Sequence, residues 1–390
     1  MELFLLAGEA SGDAHAASLL RAVRQMRPDV RAFGVAGDQC AAQGFEVLHH
    51  ARDMGVVGLT EAVRKLPLYR RVLQEMADAV AARRPDGVVL VDFPDFNLRL
   101  GREIRVRAPD IPIVYFISPQ VWAWRRGRVH DIAAFARRVL VIFPFEEEFY
   151  RDAGVEAVYV GHPLVDEARP TASREDFLES AGLDPGRPTV AVLPGSRESE
   201  VRRHIEGMLG AAARLAEERP EMQFVLSSAP TLERGFIPAH PAWRRAERLR
   251  IALSRDCVYN VLNAADAAMV TSGTATVEAA LLGVPMVVVY GLSRLSYFVA
   301  RRIVDVPWIA MANLLAGEAV VPELIQEKFR ARPLAREVRA ILEDSTRREV
   351  MLKGLEKVRK ALGESGAARR AAEWVLRTVE EAAASEGRRL

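Results

Sequence analysis

The sequence predicts an α/β protein, built as two parallel-sheet domains with a helical C-terminal tail. Three observations predict it. Short apolar runs alternate with longer amphipathic stretches, and the runs are continuous, as strands buried on both faces require. This pattern breaks off in a polar stretch around residues 167–188, which carries Pro170, Pro185, Gly186 and Pro188, and then restarts. Beyond Pro322 the strand-like runs end and the apolar period becomes helical. The expected domains are therefore 1–168, 169–345 and 346–390.

In the first half, residues 3–7 read as a strand and 13–26 as a helix. Further strands are expected at 31–35, 87–91, 113–117 and 139–143, with a helix at 98–106. The second half repeats the alternation, with strands at 189–193, 223–227, 249–253, 267–270 and 286–290 and a helix at 201–218. The two halves show no sequence repeat. In the tail, Met351, Leu355, Val358 and Leu362 form one apolar stripe at helical spacing, and Asp344-Ser345-Thr346 can start that helix. Such a stripe must dock, either on the first domain or on a second chain.

Composition narrows the function classes. Of 390 residues, 50% are hydrophobic and 27% charged, as in a well-buried globular protein. Fifty-four bases against 52 acids leave no overall field for a polyanion, so no nucleic-acid partner is expected. Cys40 and Cys257 make neither a metal-spaced pair nor a disulfide framework, which fits a reducing cytosol. No apolar run approaches the ~20 residues needed to span a bilayer. The first apolar run follows Glu2 rather than basic residues and reads as a strand, not a signal peptide. Five lysines stand against 49 arginines, and Gly-x-x-x-x-Gly-Lys, Gly-x-Gly-x-x-Gly, His-Glu-x-x-His, Gly-x-Ser-x-Gly and Asp-x-Asp are all missing. Ordinary P-loop, dinucleotide, zinc-protease and serine-hydrolase chemistry therefore lose their support, and neither a metal nor a cofactor is expected.

In parallel sheets, ligands bind beyond the carboxyl ends of the strands. After the first strand, the turn Gly8-Glu9-Ala10-Ser11-Gly12-Asp13 allows close backbone approach at Gly12 and offers the Ser11 hydroxyl. The same turn also reads as a plain helix start capped by Ser11 or Asp13. After residues 87–91 comes Asp92-Phe93-Pro94-Asp95-Phe96-Asn97. Burial at a strand end raises a carboxylate's pKa, which suits Asp92 to take a proton from an alcohol; its alternative is a carboxylate bonding loop amides. Ser118-Pro119-Gln120-Val121-Trp122-Ala123-Trp124-Arg125 sets Trp122 and Trp124 beside arginines. These rings can stack on a sugar or simply pack under the loop.

Two phosphate-type turns follow in the second half. Pro194-Gly195-Ser196-Arg197 joins a strand to a helix, and Arg197 can fork onto a phosphate. Ser272-Gly273-Thr274 opens a second helix, where Glu278 can accept both hydroxyls of a ribose. Together they point to a nucleotide diphosphate. With one candidate base and no metal-binding acids, the chemistry expected is attack by an alcohol on the carbon that bears the diphosphate.

The strings around Gly8–Asp13, Asp92–Asn97, Ser118–Arg125, Pro194–Arg197 and Ala312-Asn313-Leu314-Leu315-Ala316-Gly317 occur in this order. Together they resemble the lipid-A-disaccharide synthase family over nearly the whole chain. The Ser-Pro-x-Val-Trp-Ala-Trp string is the most specific of them. Gln120 departs from the serine found in some relatives.

The resemblance implies a GT-B-like fold of two Rossmann-like domains facing a cleft, and an inverting, metal-independent glycosyltransferase. The donor would be UDP-2,3-diacylglucosamine and the acceptor 2,3-diacylglucosamine 1-phosphate (lipid X), giving lipid A disaccharide 1-phosphate and UDP. Asp92 would be catalytic. Gly195, Ser196, Arg197, Ser272, Gly273, Thr274, Glu278 and Asn313 would surround the UDP donor. Ser11, Gly12, Trp122 and Trp124 would face the acceptor side.

Acylated substrates imply peripheral contact with the inner face of the bacterial inner membrane. Val63, Leu66, Leu68, Tyr69 and Arg70 form the expected patch, broken into two helical pieces by Pro67; the alternative is an ordinary amphipathic helix packed on the sheet. Residues 295–302 are a second candidate. A homodimer that exchanges C-terminal segments is also implied. The competing readings are a UDP-GlcNAc epimerase or other UDP-sugar transferase on the same fold, and a non-catalytic nucleotide-sugar binder.

Overall fold

The computed structural model describes residues 1–54, 59–123, 126–293, 297–298, 306–385 and 387. They divide into two compact units, Met1–Pro163 with Glu364–Leu390, and Leu164–Gly363.

Among the described residues, the first unit holds a seven-stranded sheet. Its strands are β1 (Glu2–Ala7), β2 (Arg31–Ala36), β3 (Glu46–His50), β4 (Gly87–Val91), β5 (Ile113–Phe116), β6 (Arg138–Val141) and β7 (Ala157–Tyr159). They lie in the order β3-β2-β1-β4-β5-β6-β7, and every pairing is parallel. Strand alternation divides the core between two faces. Phe4, Leu6, Val88, Leu90 and Tyr115 point to a layer completed by helices Leu59–Arg83 and Pro94–Arg107. Leu3, Leu5, Val89, Val91 and Phe116 point to the opposite layer, completed by helices Ala10–Met26 and Ala367–Ser385.

That last helix is held by more than apolar contact. Arg138, only 3% exposed, donates to the Thr378 hydroxyl at 2.6 Å and pairs with Glu381 at 3.2 Å. Its guanidinium also pairs with Glu156 at 2.5 Å, so the final helix completes the bonding of this buried charge.

The second unit carries β8 (Thr189–Leu193), β9 (Gln223–Ser227), β10 (Ile251–Ser254), β11 (Ala267–Thr271), β12 (Met286–Tyr290) and β13 (Glu323–Ile325). Their order is β10-β9-β8-β11-β12-β13, again parallel throughout. Both sheets thus show the doubly wound order, in which the winding reverses beside the first strand.

Three differences from the sequence expectation have physical causes. The edge strands β3, β7 and β13 are absent from it, because each is half-exposed and lacks a long apolar run, β3 carrying two histidines and β7 and β13 spanning three residues each. The region after Pro322 therefore begins with a strand rather than being all helix. The Met351–Leu362 stripe lies on helix Ser345–Ala361, which Asp344 caps by accepting from the Arg347 amide at 2.9 Å. That helix packs on Thr274–Leu281 and Met311–Ala316 of its own unit. The second unit consequently runs to Gly363 rather than ending at 345, and only the final helix joins the first unit. Finally, helix Leu59–Arg83 continues through Pro67 instead of splitting there. One missing backbone hydrogen bond is outweighed by Val72, Met76, Ala77 and Val80 buried in the core.

Candidate active site

The winding reverses between β1 and β4 in the first unit and between β8 and β11 in the second. Open sheets place ligands beyond the strand ends at such points. Residues 8–12 and Asp92 occupy the first. Residues 194–197 and 272–274 occupy the second.

Asp92 directly follows β4 and has a left-handed backbone, φ 46°; Phe93 follows at φ 50°. Ile117, at the end of the neighbouring β5, is left-handed too, at φ 57°. Each such residue costs about 1–3 kcal/mol unless its surroundings enforce it. Here they do. The Asn97 amide nitrogen donates to the carbonyls of Asp92 (2.6 Å) and Val91 (3.2 Å). The Tyr115 hydroxyl donates to the same Asp92 carbonyl at 2.9 Å, and the Asp92 N–H donates to Phe116 at 3.1 Å.

Burial raises the Asp92 pKa, and the negative Glu9 raises it further, against the opposing Phe93 amide and His15. A carboxylate so placed binds a proton more tightly than a solvated one, which is what a general base needs. Asp95, three residues on, is exposed and pairs with Arg128 at 2.7 Å.

Ser11 is exposed on the first turn of helix Ala10–Met26, and Gly12 is buried where that turn packs over the ends of β1 and β4. Glu9 occupies the position before the helix, without a side-chain capping bond, and neither Ser11 nor Asp13 caps it. Asp13 instead accepts from the amides of Gly37 (2.8 Å) and Gln39 (2.9 Å), fixing the loop after β2.

Trp122 corrects an expectation. It is 6% exposed, its indole N–H donates to Glu146 at 2.9 Å, and its ring meets Phe145 edge-on. No open face remains for a sugar, so Trp122 holds its loop from beneath. Trp124 lies outside the described residues.

In the expected membrane patch, Leu66 (41% exposed) and Arg70 face solvent. Leu68 and Tyr69 pack on the core, and the Tyr69 ring lies edge-on to Phe93 and Phe96. Tyr69 thus supports the Asp92 loop, and Leu68 belongs to the core. The Val63 side chain and residues 295–296 and 299–302 are outside the described set. No helix among the described residues is long and apolar enough to cross a membrane.

In the second unit, Gly195 adopts φ 121°, where a Cβ would fall 2.7 Å from that of Glu200. The Glu200 carboxylate accepts from the amides of Ser196 (3.1 Å) and Arg197 (3.4 Å). The amides expected to grip a phosphate are therefore capped by the chain's own acid. Arg197 projects with its side chain 74% exposed, beside Glu200 at 3.2 Å.

Ser272 donates to the Ile309 carbonyl at 2.9 Å, while Gly273 (φ 149°) and Thr274 are exposed at the start of helix Thr274–Leu281. Glu278, one turn in, has its pKa pushed up to about 7 by burial; the Tyr259 hydroxyl opposes the shift and Glu167 adds to it.

Asn313 also departs from expectation. It is 1% exposed, accepts from the amides of Val320 and Val321 at 2.8 Å, and donates to Val321 and Glu323 at 2.9 Å. These bonds occupy its amide, so it shapes the 309–323 segment rather than presenting that group to a nucleotide. Glu323 completes this framework by accepting from the amides of Ile309 and Ala310. Asn97, Tyr115, Glu146, Glu200 and Glu323 were not legible as site residues, since each depends on which loops meet in space.

A family described as lipid-A-disaccharide synthetase matches residues 3–377. The lipid-A-disaccharide synthase of Myxococcus xanthus is 46% identical over 374 residues, covering 96% of either chain. Among solved structures, the calicheamicin glycosyltransferase CalG4 aligns with a TM-score of 0.59 at 19% identity, covering 97% of this chain and 98% of that one. A UDP-GlcNAc 2-epimerase from Neisseria meningitidis, bound to UDP-GlcNAc, also gives 0.59, at 11% identity over 98% of this chain and all of its own. These likenesses carry the GT-B fold. With a family match across nearly its whole length and a relative at this identity, the chain belongs to the lipid-A-disaccharide synthetase family.

Proposed function

We propose that this chain joins UDP-2,3-diacylglucosamine to 2,3-diacylglucosamine 1-phosphate, releasing UDP and forming the β-1,6-linked disaccharide of lipid A. One observation carries the chemical step: Asp92, the carboxylate directly after β4 at the winding reversal, is held in a strained conformation and made basic by burial and by the negative Glu9. In this reading its carboxylate takes the proton from the attacking 6-hydroxyl. The oxygen lone pair forms the new bond to the donor's anomeric carbon as the bond to the diphosphate breaks. The electron pair leaves with UDP, and inversion follows from single displacement.

Arg197 stabilises the departing charge, and the carboxylate of Glu278 accepts the ribose hydroxyls. Ser272, Gly273 and Thr274 form the turn over the nucleotide, and Ser11 and Gly12 lie on the acceptor side. Glu200 must share or yield the Ser196 and Arg197 amides when a phosphate arrives.

Acylated substrates require a bilayer surface, which Leu66 and Arg70 would approach with residues flanking them. A homodimer exchanging helix Ala367–Ser385 would satisfy Arg138 from the partner with the same bonds it makes here.

Mass spectrometry of products from the two acylated sugars tests this function. A disaccharide 1-phosphate with stoichiometric UDP supports it. Epimerised UDP-GlcNAc, formed without an acceptor, or UDP binding with no product from any acylated pair, contradicts it.

A further inference from the structure

We propose that His204 is a positioning residue for the nucleotide site, a neutral imidazole that ties the Pro194–Arg197 turn to the loop opening at Gly291. The inference rests on the reading that UDP binds at these strand ends of the second unit.

His204 lies on helix Glu198–Glu218, just after β8, and is 0% exposed. Its Nδ1 stands 3.3 Å from the Pro194 carbonyl oxygen, and the Gly291 N–H donates to its Nε2 at 2.9 Å. Both partners are backbone groups with fixed roles. A carbonyl only accepts, so Nδ1 must carry the proton; an amide N–H only donates, so Nε2 must offer its lone pair. The contacts thus select one tautomer of the neutral ring, and the imidazolium would set an Nε2–H against the Gly291 N–H.

The place of this bond in the sheet gives it a function. β8, β11 and β12 are consecutive neighbours. His204 joins the loops after the outer two, bracketing the Ser272-Gly273-Thr274 turn at the end of the middle one. Each bracketed loop has a second anchor. Thr231 donates to the Ser196 carbonyl at 2.6 Å, and Gln326 pairs with Leu292, accepting at 2.9 Å and donating at 3.2 Å. The ring also packs against Tyr290 and Phe329.

Packing alone would be served by any apolar ring, whereas the tie needs a donor and an acceptor. Burial keeps the ring neutral by lowering its pKa. The Pro194 carbonyl and Glu200 oppose that shift, and Arg203 reinforces it.

UDP titration calorimetry at pH 7.5 and 5.5 on the native chain, His204→Phe, His204→Gln and Arg197→Ala separates the possibilities. His204→Phe should bind UDP about tenfold more weakly at pH 7.5, and His204→Gln, which keeps an acceptor for Gly291, should stay within about threefold. On acidification the native chain should lose more affinity than His204→Gln, because Glu278 takes up a proton in both but the position-204 side chain only in the native chain. UDP binding that weakens in Arg197→Ala but is unchanged in His204→Phe would overturn this inference and leave the nucleotide site standing. No UDP binding by the native chain would remove both. If His204→Phe fails to fold, 15N NMR of the native imidazole decides instead: an Nδ1–H tautomer at pH 7.5 is the expected result, and an Nε2–H tautomer or an imidazolium overturns it.

Discussion

The Phe93 ring lies where a side chain on Gly8 would have to be: a Cβ built on that glycine falls 2.3 Å from the ring. The turn after β1 and the strained turn after β4 are thereby fitted to each other, with Asp92 next to the contact. Gly8→Ala must displace Phe93, at a cost of about 1–3 kcal/mol for overpacking. The expected result is a lowered melting temperature and turnover reduced about tenfold or more, with UDP affinity kept, because the nucleotide turns belong to the other unit. Thermal melts beside steady-state kinetics check this.

Glu146 gives a pH signature to folding. Burial pushes its pKa up to about 7, against hydrogen bonds from the Phe143 amide, the Trp122 indole and the Ile142 amide. The folded chain therefore holds this proton between about pH 4.5 and 7, where the unfolded chain releases it. Its contribution is full below that window, declines as pH rises through it, and levels off above, a change of roughly 3 kcal/mol or slightly more. Urea denaturation from pH 5 to 8 should show this decline in the native chain and a much flatter profile in Glu146→Gln.

Glu278, also raised to about 7, gives the nucleotide site its own pH dependence. An ionised carboxylate accepts two ribose hydroxyls, whereas a protonated one has lost part of that capacity. Uridine, which carries no phosphate to titrate, should bind more tightly from pH 6 to 8, by up to about tenfold. Glu278→Gln should bind weakly and with little pH dependence. Equal pH profiles for the two proteins would detach Glu278 from the ribose.

The interior strands were legible because both faces are buried, so Gly87–Val91, Thr189–Leu193 and Met286–Tyr290 are unbroken apolar runs. Three of the four described edge strands lack a long run of this kind: β3 includes His49 and His50, β13 begins with Glu323, and β7 is only three residues long. Asp92 and Gly195 stand out in sequence because each closely follows a buried run. Their supports do not. Asn97 lies one turn into a helix with no signal of its own, and His204 falls among polar helix residues until Gly291 is brought to it. Trp122 and Asn313 sit in distinctive strings, yet their polar groups are bonded within the chain, to Glu146 and to the 320–323 segment. A motif reveals that a position is constrained, not whether the constraint comes from a ligand or from the chain.

The membrane reading is narrowed to testable positions. Leu66→Ser with Arg70→Glu should reduce flotation with anionic phospholipid vesicles several-fold while leaving the melting temperature within a few degrees, since both side chains are exposed. Tyr69→Ser should instead destabilise the chain, because its ring supports Phe93 and Phe96. Unchanged flotation of the double variant would move the membrane-facing surface elsewhere.

The central claim is that Asp92 supplies the base. Asp92→Asn keeps the side-chain shape and the backbone bonds to Asn97 and Tyr115 but cannot accept the proton. Measured on one preparation, disaccharide formation should fall by about 100- to 10,000-fold while UDP affinity stays within about twofold. Turnover retained within tenfold of the native chain would contradict it.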